Sequence, residues 1–102
     1  MKIKIYQAKN PTFRVDKDKV VYNLNDYNMV YEFEQDIPEY ADKHNLLEWV
    51  FDRFNIARPK DFNGHSLSVG DIVELQSDFS GRLTETYICS DFGWKKILWE
   101  EQ

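Results

Sequence analysis

Only one stretch of this chain carries a helical period. Leu47, Val50, Phe51 and Phe54 fall at i, i+3, i+4 and i+7, the spacing that puts four apolar side chains on one buried stripe. Around it, the apolar residues alternate with polar ones or break at turns. A single helix set among alternating segments cannot build the repeated strand–helix–strand units of a parallel sheet. The expected fold is therefore α+β: a mostly antiparallel sheet or partly open barrel, one packed helix, and a C-terminal β-meander. Two helix starts fit the sequence. Asn45 with Glu48 has the form of a capping box, and Asp36 with Pro38 and Glu39 offers an earlier entry near Pro38. Asn55 is expected to end the helix in the left-handed region, with Arg58-Pro59 beyond it.

The strands follow from period-2 patterning. Lys2 to Gln7 sends Ile3 and Ile5 one way and Lys2, Lys4 and Tyr6 the other, and Asn10-Pro11 closes the segment. Phe13 to Tyr22 is expected to be a hairpin turning at Asp16-Lys17-Asp18-Lys19. Met29 to Glu34 is a strand with Met29, Tyr31 and Phe33 on one face and Val30, Glu32 and Glu34 on the other. Gly70-Asp71 forms a turn into a strand from Ile72 to Gln76. Ser77 to Leu83, with Gly81, is a hairpin loop. Thr84 to Ser90 pairs back, Asp91-Phe92-Gly93 turns, and Trp94 to Trp99 is the last strand.

With 102 residues, a chain buries roughly two thirds of its unfolded surface, enough for one core and one domain, 1–102. Hydrophobic residues at 42% and aromatics at 16% exclude a disordered tail despite the charge. No apolar run approaches the roughly 18 residues of a membrane span. The start, Met1-Lys2-Ile3-Lys4-Ile5, has the form of neither a signal nor a transit peptide. One cysteine rules out an internal disulfide and a multi-cysteine zinc site. The expected location is the cytoplasm.

The net charge of −5 hides a polarity. Residues 1–20 carry six bases against two acids, residues 21–57 eight acids against two bases, and residues 58–102 eight acids against five bases. The acidic middle is either an ordinary solvated face or a surface that steers toward a basic partner. Such a partner could be a nucleic-acid-binding protein whose groove otherwise holds phosphate. Nucleic acid itself is disfavoured as a ligand, because phosphate neutralisation needs clustered Lys and Arg.

No catalytic pattern stands out. Cys89, His65 and Asp91 can be written as a nucleophile–base–orienter set, but a cysteine inside Tyr87-Ile88-Cys89 has the setting of a small buried hydrophobe. Asp61, His65 and Asp71 lack metal-ligand spacing. Gly64, Gly70, Gly81 and Gly93 lack the strand–loop–helix context of a phosphate loop. No catalytic residue, metal or cofactor is expected.

Two surfaces remain. The first is an acidic strip, Glu32, Glu34, Asp36, Glu39 and Asp42, with Trp49 as anchor. Leu46 and Trp49 lie off the helical stripe; either they lean to the rim of the core or to solvent, where an exposed Trp suits an interface, or the buried stripe is wide enough to take them in. The second is the pairing of Trp94 with Lys95 and Lys96, an arrangement able to stack bases and hold phosphate, or simply to cover the end of the sheet.

Arg53-Phe54-Asn55, then the run Arg58-Pro59-Lys60-Asp61-Phe62-Asn63-Gly64-His65-Ser66-Leu67-Ser68-Val69-Gly70-Asp71-Ile72-Val73-Glu74-Leu75, then Tyr87-Ile88-Cys89-Ser90-Asp91-Phe92-Gly93-Trp94, resemble the YodL-like domain over roughly residues 24–98. The resemblance implies a small domain common on phages and conjugative elements of Firmicutes, with no established catalytic activity. One member is linked to interference with the cell-shape cytoskeleton, which implies action by protein binding. Gly70, Cys89-Ser90 and the 13–22 segment depart from the family pattern.

Together these readings predict a small non-catalytic interaction domain of a mobile genetic element that binds and modulates a host protein. A sharper form is an inhibitor of host defence, such as an anti-CRISPR or anti-restriction protein acting on a nuclease. The alternative is a nucleic-acid-binding barrel using Trp94, Lys95 and Lys96.

Overall fold

The computed structural model describes residues 1–11, 14–37, 42–77 and 83–101. Six strands and one helix follow in the order β1 (Lys2–Ala8), β2 (Val21–Tyr22), a single 3-10 turn (Leu24–Asp26), β3 (Tyr27–Glu34), α1 (Lys43–Ile56), β4 (Ile72–Gln76), β5 (Thr84–Ser90) and β6 (Gly93–Trp99). In the sheet the strands lie in the order β2-β6-β5-β4-β1-β3. All neighbours are antiparallel except β2 with β6. The fold is α+β with a half-barrel, and the meander β4-β5-β6 is present as expected.

The half-barrel follows from chain length. β2 and β3 occupy opposite edges of the sheet, yet only four residues join Tyr22 to Tyr27. The edges of a flat six-stranded sheet stand roughly 24 Å apart. A 3-10 link rises only about 2 Å per residue and cannot span that. The sheet must curl until its edges meet. Tyr22 and Tyr27 do meet, with ring centroids 6.4 Å apart. Chain connectivity and side chains, rather than a ladder, bring the open edges together.

The curl encloses one of two cores. Inside it, Tyr6, Tyr22, Ile72, Ile88 and Ile97 are buried, with Val15, Tyr27 and Trp99 against them. On the other face, Ile3, Ile5, Val73 and Leu75 pack against Leu46, Leu47, Val50 and Phe54 of α1, with Phe62 and Leu67 from the long loop. Alternation along β1 and β4 feeds both cores, as period 2 requires. Each fully buried aliphatic or aromatic side chain contributes about 1.5–3 kcal/mol, so the stripe Leu47, Val50 and Phe54 anchors the helix.

Four expectations are corrected. The helix begins at neither predicted start: Asp42 is the N-cap, its carboxylate accepting from the His44 N–H at 2.8 Å, which leaves Asn45 inside the first turn. It ends at Ala57 with φ −129°, not at a left-handed Asn55. Phe51, expected on the buried stripe, is only half-buried, while Leu46 is buried, as the wide stripe has it; the helix is rolled toward β3. The expected hairpin before Tyr22 does not form. Phe13 lies outside the described residues, residues 14–20 hold no strand, and Val21–Tyr22 pairs in parallel with Leu98 and Trp99. The turn within it is real, with Asp18 N–H bonded to Asp16 Oδ1 at 2.9 Å. Lys95 holds it to the sheet instead of a ladder, donating to the carbonyls of Asp16 at 3.2 Å and Lys19 at 2.7 Å.

Strand β3 also differs in its faces. Ile5 pairs with Tyr31 and Tyr6 with Met29, so Val30 is an extra residue in a bulge. Val30, Tyr31 and Phe33 therefore all pack toward the helix-side core, and Met29 is exposed. Pro38, Glu39 and Gly81 lie outside the described residues.

Candidate functional site

The rolled helix leaves a groove between its first turns and the end of β3. Gln35, Ile37, Asp42, Asn45, Leu46 and Trp49 line about 460 Å³ of space. Leu46 forms its buried floor. Trp49, one turn further on, is 39% exposed, and its ring leans on Phe33 with centroids 6.5 Å apart. The Trp is thus held on one side and open on the other. Asp42 is fixed at the rim by its capping bond to His44.

The groove unites one carboxylate of the acidic strip with the Trp anchor and leaves Glu32 and Glu34 outside it. Asp42 and Trp49 share it. Glu32 pairs with Lys2 at 3.3 Å, and Lys2 projects away from the helix, opposite Ile3. Glu34 lies 3.9 Å from the chain's amino terminus. Alternation places Glu32 and Glu34 on the face of β3 opposite Phe33, hence opposite Trp49. Asp36 is exposed beyond the strand end, and Glu39 is outside the described residues. Sequence reasoning missed Ile37, Gln35 and Asn45 as lining. It did single out the i, i+3 pair Leu46 and Trp49, which was the available signal.

β3 itself is a sheet edge. β1 pairs with one side of it, and no described strand pairs with the other. Away from Tyr27, where the two sheet edges meet, the open edge of β3 runs to the groove and forms a surface on which an extended segment can add a strand.

The aromatic and basic residues of β6 do not form one surface. Trp94 packs edge-on against Phe51, centroids 6.3 Å apart, within the helix-side core. Lys95 points to the other face and is held by the 16–19 turn. Lys96 is exposed.

The polar cluster at the Gly70 turn is tightly bonded. Asp71 is 3% exposed. Its Oδ2 accepts from Ser68 N–H at 2.9 Å and from Gln7 Nε2 at 3.2 Å. His65 Nε2 stands 3.9 Å from Asp71 Oδ1, and its Nδ1 donates to the Ser66 carbonyl at 2.7 Å. Burial pushes the Asp71 carboxyl up to about 6, against the lowering pull of the Ser68 N–H, His65 and Gln7. Cys89 meets this cluster through its backbone, its N–H donating to the Asp71 carbonyl at 2.8 Å. Its thiol is buried and pushed up to about 11, by burial first and then by Asp71, Glu48 and Asp91. A thiol in that state is not a nucleophile at neutral pH. Asp61 is occupied by the Tyr31 hydroxyl at 2.9 Å. Among the described residues no group of three His, Cys, Asp or Glu side chains is placed to hold a metal ion.

The YodL-like domain family model matches residues 2–99. The chain belongs to the YodL-like domain family. The match runs from β1 to the end of β6, so the 13–22 segment, which the sequence resemblance set apart, falls within the matched span of the YodL-like domain. No curated protein and no solved structure matches the chain. No described helix is long and apolar enough to cross a membrane.

Proposed function

We propose that this YodL-like domain is a non-catalytic interaction domain of a mobile genetic element that binds a host protein through the groove beside β3. The observation that carries the reading is Trp49, held against Phe33, 39% exposed and beside the buried Leu46, with Asp42 at the rim. An aromatic anchor of this kind concentrates binding energy. Charge favours a basic occupant: among the described residues Asp42 is the one acid in the groove lining and no base lines it. The open edge of β3 suits that segment in extended form, with an apolar side chain in the groove. A basic segment of a nucleic-acid-binding host protein, such as a restriction or CRISPR nuclease, fits this chemistry, the Asp42 carboxylate standing where a phosphate otherwise binds.

The test compares capture of purified nuclease candidates by the native chain, Trp49→Ala, Asp42→Lys and Glu32→Lys. The reading expects binding to fall at least about tenfold in the first two, the loss typical of an interface anchor, and to persist in Glu32→Lys, whose carboxylate lies on the opposite face. Equal binding by all four chains overturns it. Loss confined to Glu32→Lys moves the interface to the other face and overturns the groove.

A further inference from the structure

A second cavity lies at the opposite end of β3, away from the groove. It occupies about 320 Å³ where the segment after β1, the 14–19 turn, the start of β3 and the Gly70 turn converge. Lys9, Arg14 and Lys19 line it, with Tyr27 as an aromatic wall and two acids, Asp26 and the buried Asp71, beside them. All three cations come from the basic first 20 residues.

Four of the other described lysines are already engaged. Lys2 pairs with Glu32 at 3.3 Å and Lys4 with Glu74 at 3.9 Å. Lys43 donates to Ser77 Oγ at 3.2 Å, and Lys95 is consumed by the 16–19 carbonyls. Lys9 and Arg14 have no carboxylate within 4.0 Å among the described residues, as is also true of Lys17, Lys60 and Lys96; what sets them apart is the cavity they share. Lys19 sits over the Tyr22 ring at 4.6 Å, a contact that positions its ammonium without neutralising it. Three positive groups against two acids, one of them the Asp71 carboxylate already bonded to Ser68 and Gln7, leave a positive excess around this cavity in a chain of net charge −5.

We propose that this cavity binds a small phosphate ester, with Lys9, Arg14 and Lys19 closing on the phosphate. The volume falls in the range of small-molecule sites and is too small for a folded or duplex partner. An Arg fork matches two phosphate oxygens, and flanking ammonium groups add point charge. Asp26 at the same cavity disfavours a bare polyanion. It selects an ester whose hydroxyl or amino groups can donate to a carboxylate, as in a sugar phosphate or a nucleoside monophosphate. Tyr27, half-buried between Trp99 and Tyr22, gives the organic part a fixed wall. The Gly70 turn, at φ +98°, leaves open space where a side chain would stand. The site is independent of the groove and of its partner.

The experiment titrates the isotopically labelled chain with inorganic phosphate, a hexose phosphate and a nucleoside monophosphate at low salt, following backbone amide signals. Saturable shifts at Lys9, Tyr27 and Gly70 with either ester, weaker with free phosphate, are expected. Lys9→Ala/Arg14→Ala, two exposed positions, should weaken the response about tenfold or more, the effect of losing charge-assisted bonds, with the melting temperature unchanged. No shift with either ester at about 10 mM, a concentration that reveals even millimolar affinity, overturns the proposal. Free phosphate binding as tightly as both esters overturns the ester assignment, and shifts that persist in the double variant overturn the clamp.

Discussion

Tyr27 and Trp99 pack edge to face with ring centroids 5.7 Å apart, although three strands separate β3 from β6 in the sheet. Trp99 also meets Tyr6 at 5.2 Å, so one indole joins β1, β3 and β6 across the inside of the curl. Its Nε1 donates to Glu74 Oε1 at 3.2 Å. Glu74 is nearly buried and is served by Thr86 Oγ1 and the Tyr6 hydroxyl at 3.4 and 3.5 Å, with Lys4 nearby at 3.9 Å. The indole thus both fills the curl and satisfies a buried carboxylate.

These two roles can be separated by mutation. Trp99→Phe keeps an aromatic ring and removes the N–H, leaving Glu74 short of a donor; the expected loss is about 1–3 kcal/mol. Trp99→Ala also removes the ring that ties the edges together and should cost about 3–5 kcal/mol. Urea unfolding of the two variants reads the difference. Equal losses would mean that the indole contributes only its N–H.

Stability should fall as pH rises from about 4 to about 6, through Asp71. Its folded value of about 6 lies above the ordinary 3.8. Between those values the native carboxyl holds a proton that the unfolded one has released. Stability therefore declines with pH across that window and is flat above it. A shift of this size corresponds to about 3 kcal/mol. Asp71→Asn removes the ionisation, so its stability should lose this decline. The comparison is the difference in unfolding free energy between the two chains at pH 4 and pH 7. A difference that does not change with pH would refute burial as the dominant influence on Asp71.

Cys89 should resist alkylation. With the thiol near 11, about one molecule in a thousand carries a thiolate at pH 8, and the side chain is buried besides. Iodoacetamide should modify the folded chain far more slowly than the urea-unfolded one, as followed by mass spectrometry. Equal rates would restore Cys89 as a candidate nucleophile.

Local patterning made the strands and the helix legible. Ile3 and Ile5, Leu47 and Phe54, and the β4-β5-β6 meander all sit where period 2 or period 3.6 puts them. What stayed hidden depends on contacts between distant segments. The bulge at Val30 depends on register with β1, and a one-residue insertion changes faces without changing composition. Val20-Val21-Tyr22 has strand propensity, but its partner is β6, some seventy-five residues later, and nothing local announces a parallel pair. The site was legible in part for the same reason. Leu46 and Trp49 are neighbours on one helix and could be paired by spacing. Ile37 reaches the groove only because the chain leaves β3 beside α1, and the convergence of Lys9, Arg14 and Lys19 depends on where the 14–19 turn is tied down.

Gly64 is required by space, through one particular neighbour. A Cβ there would stand 2.5 Å from Gln7 Oε1 and 2.9 Å from Phe62 Cζ. Gln7 is bonded around this position: its Oε1 accepts from His65 N–H at 3.2 Å, and its Nε2 donates to the His65 carbonyl at 2.8 Å and to Asp71 at 3.2 Å. Gly64→Ala should therefore push Gln7 off these partners, at an overpacking cost of about 1–3 kcal/mol. Gln7→Ala alone loses the same bonds but opens the space. In the Gln7→Ala background the added cost of Gly64→Ala should shrink to well under half, a coupling of the kind expected for residues in contact. Urea unfolding of the two single variants and the double variant measures it. A Gly64→Ala cost that is the same in both backgrounds would assign the obstruction to the Phe62 ring instead.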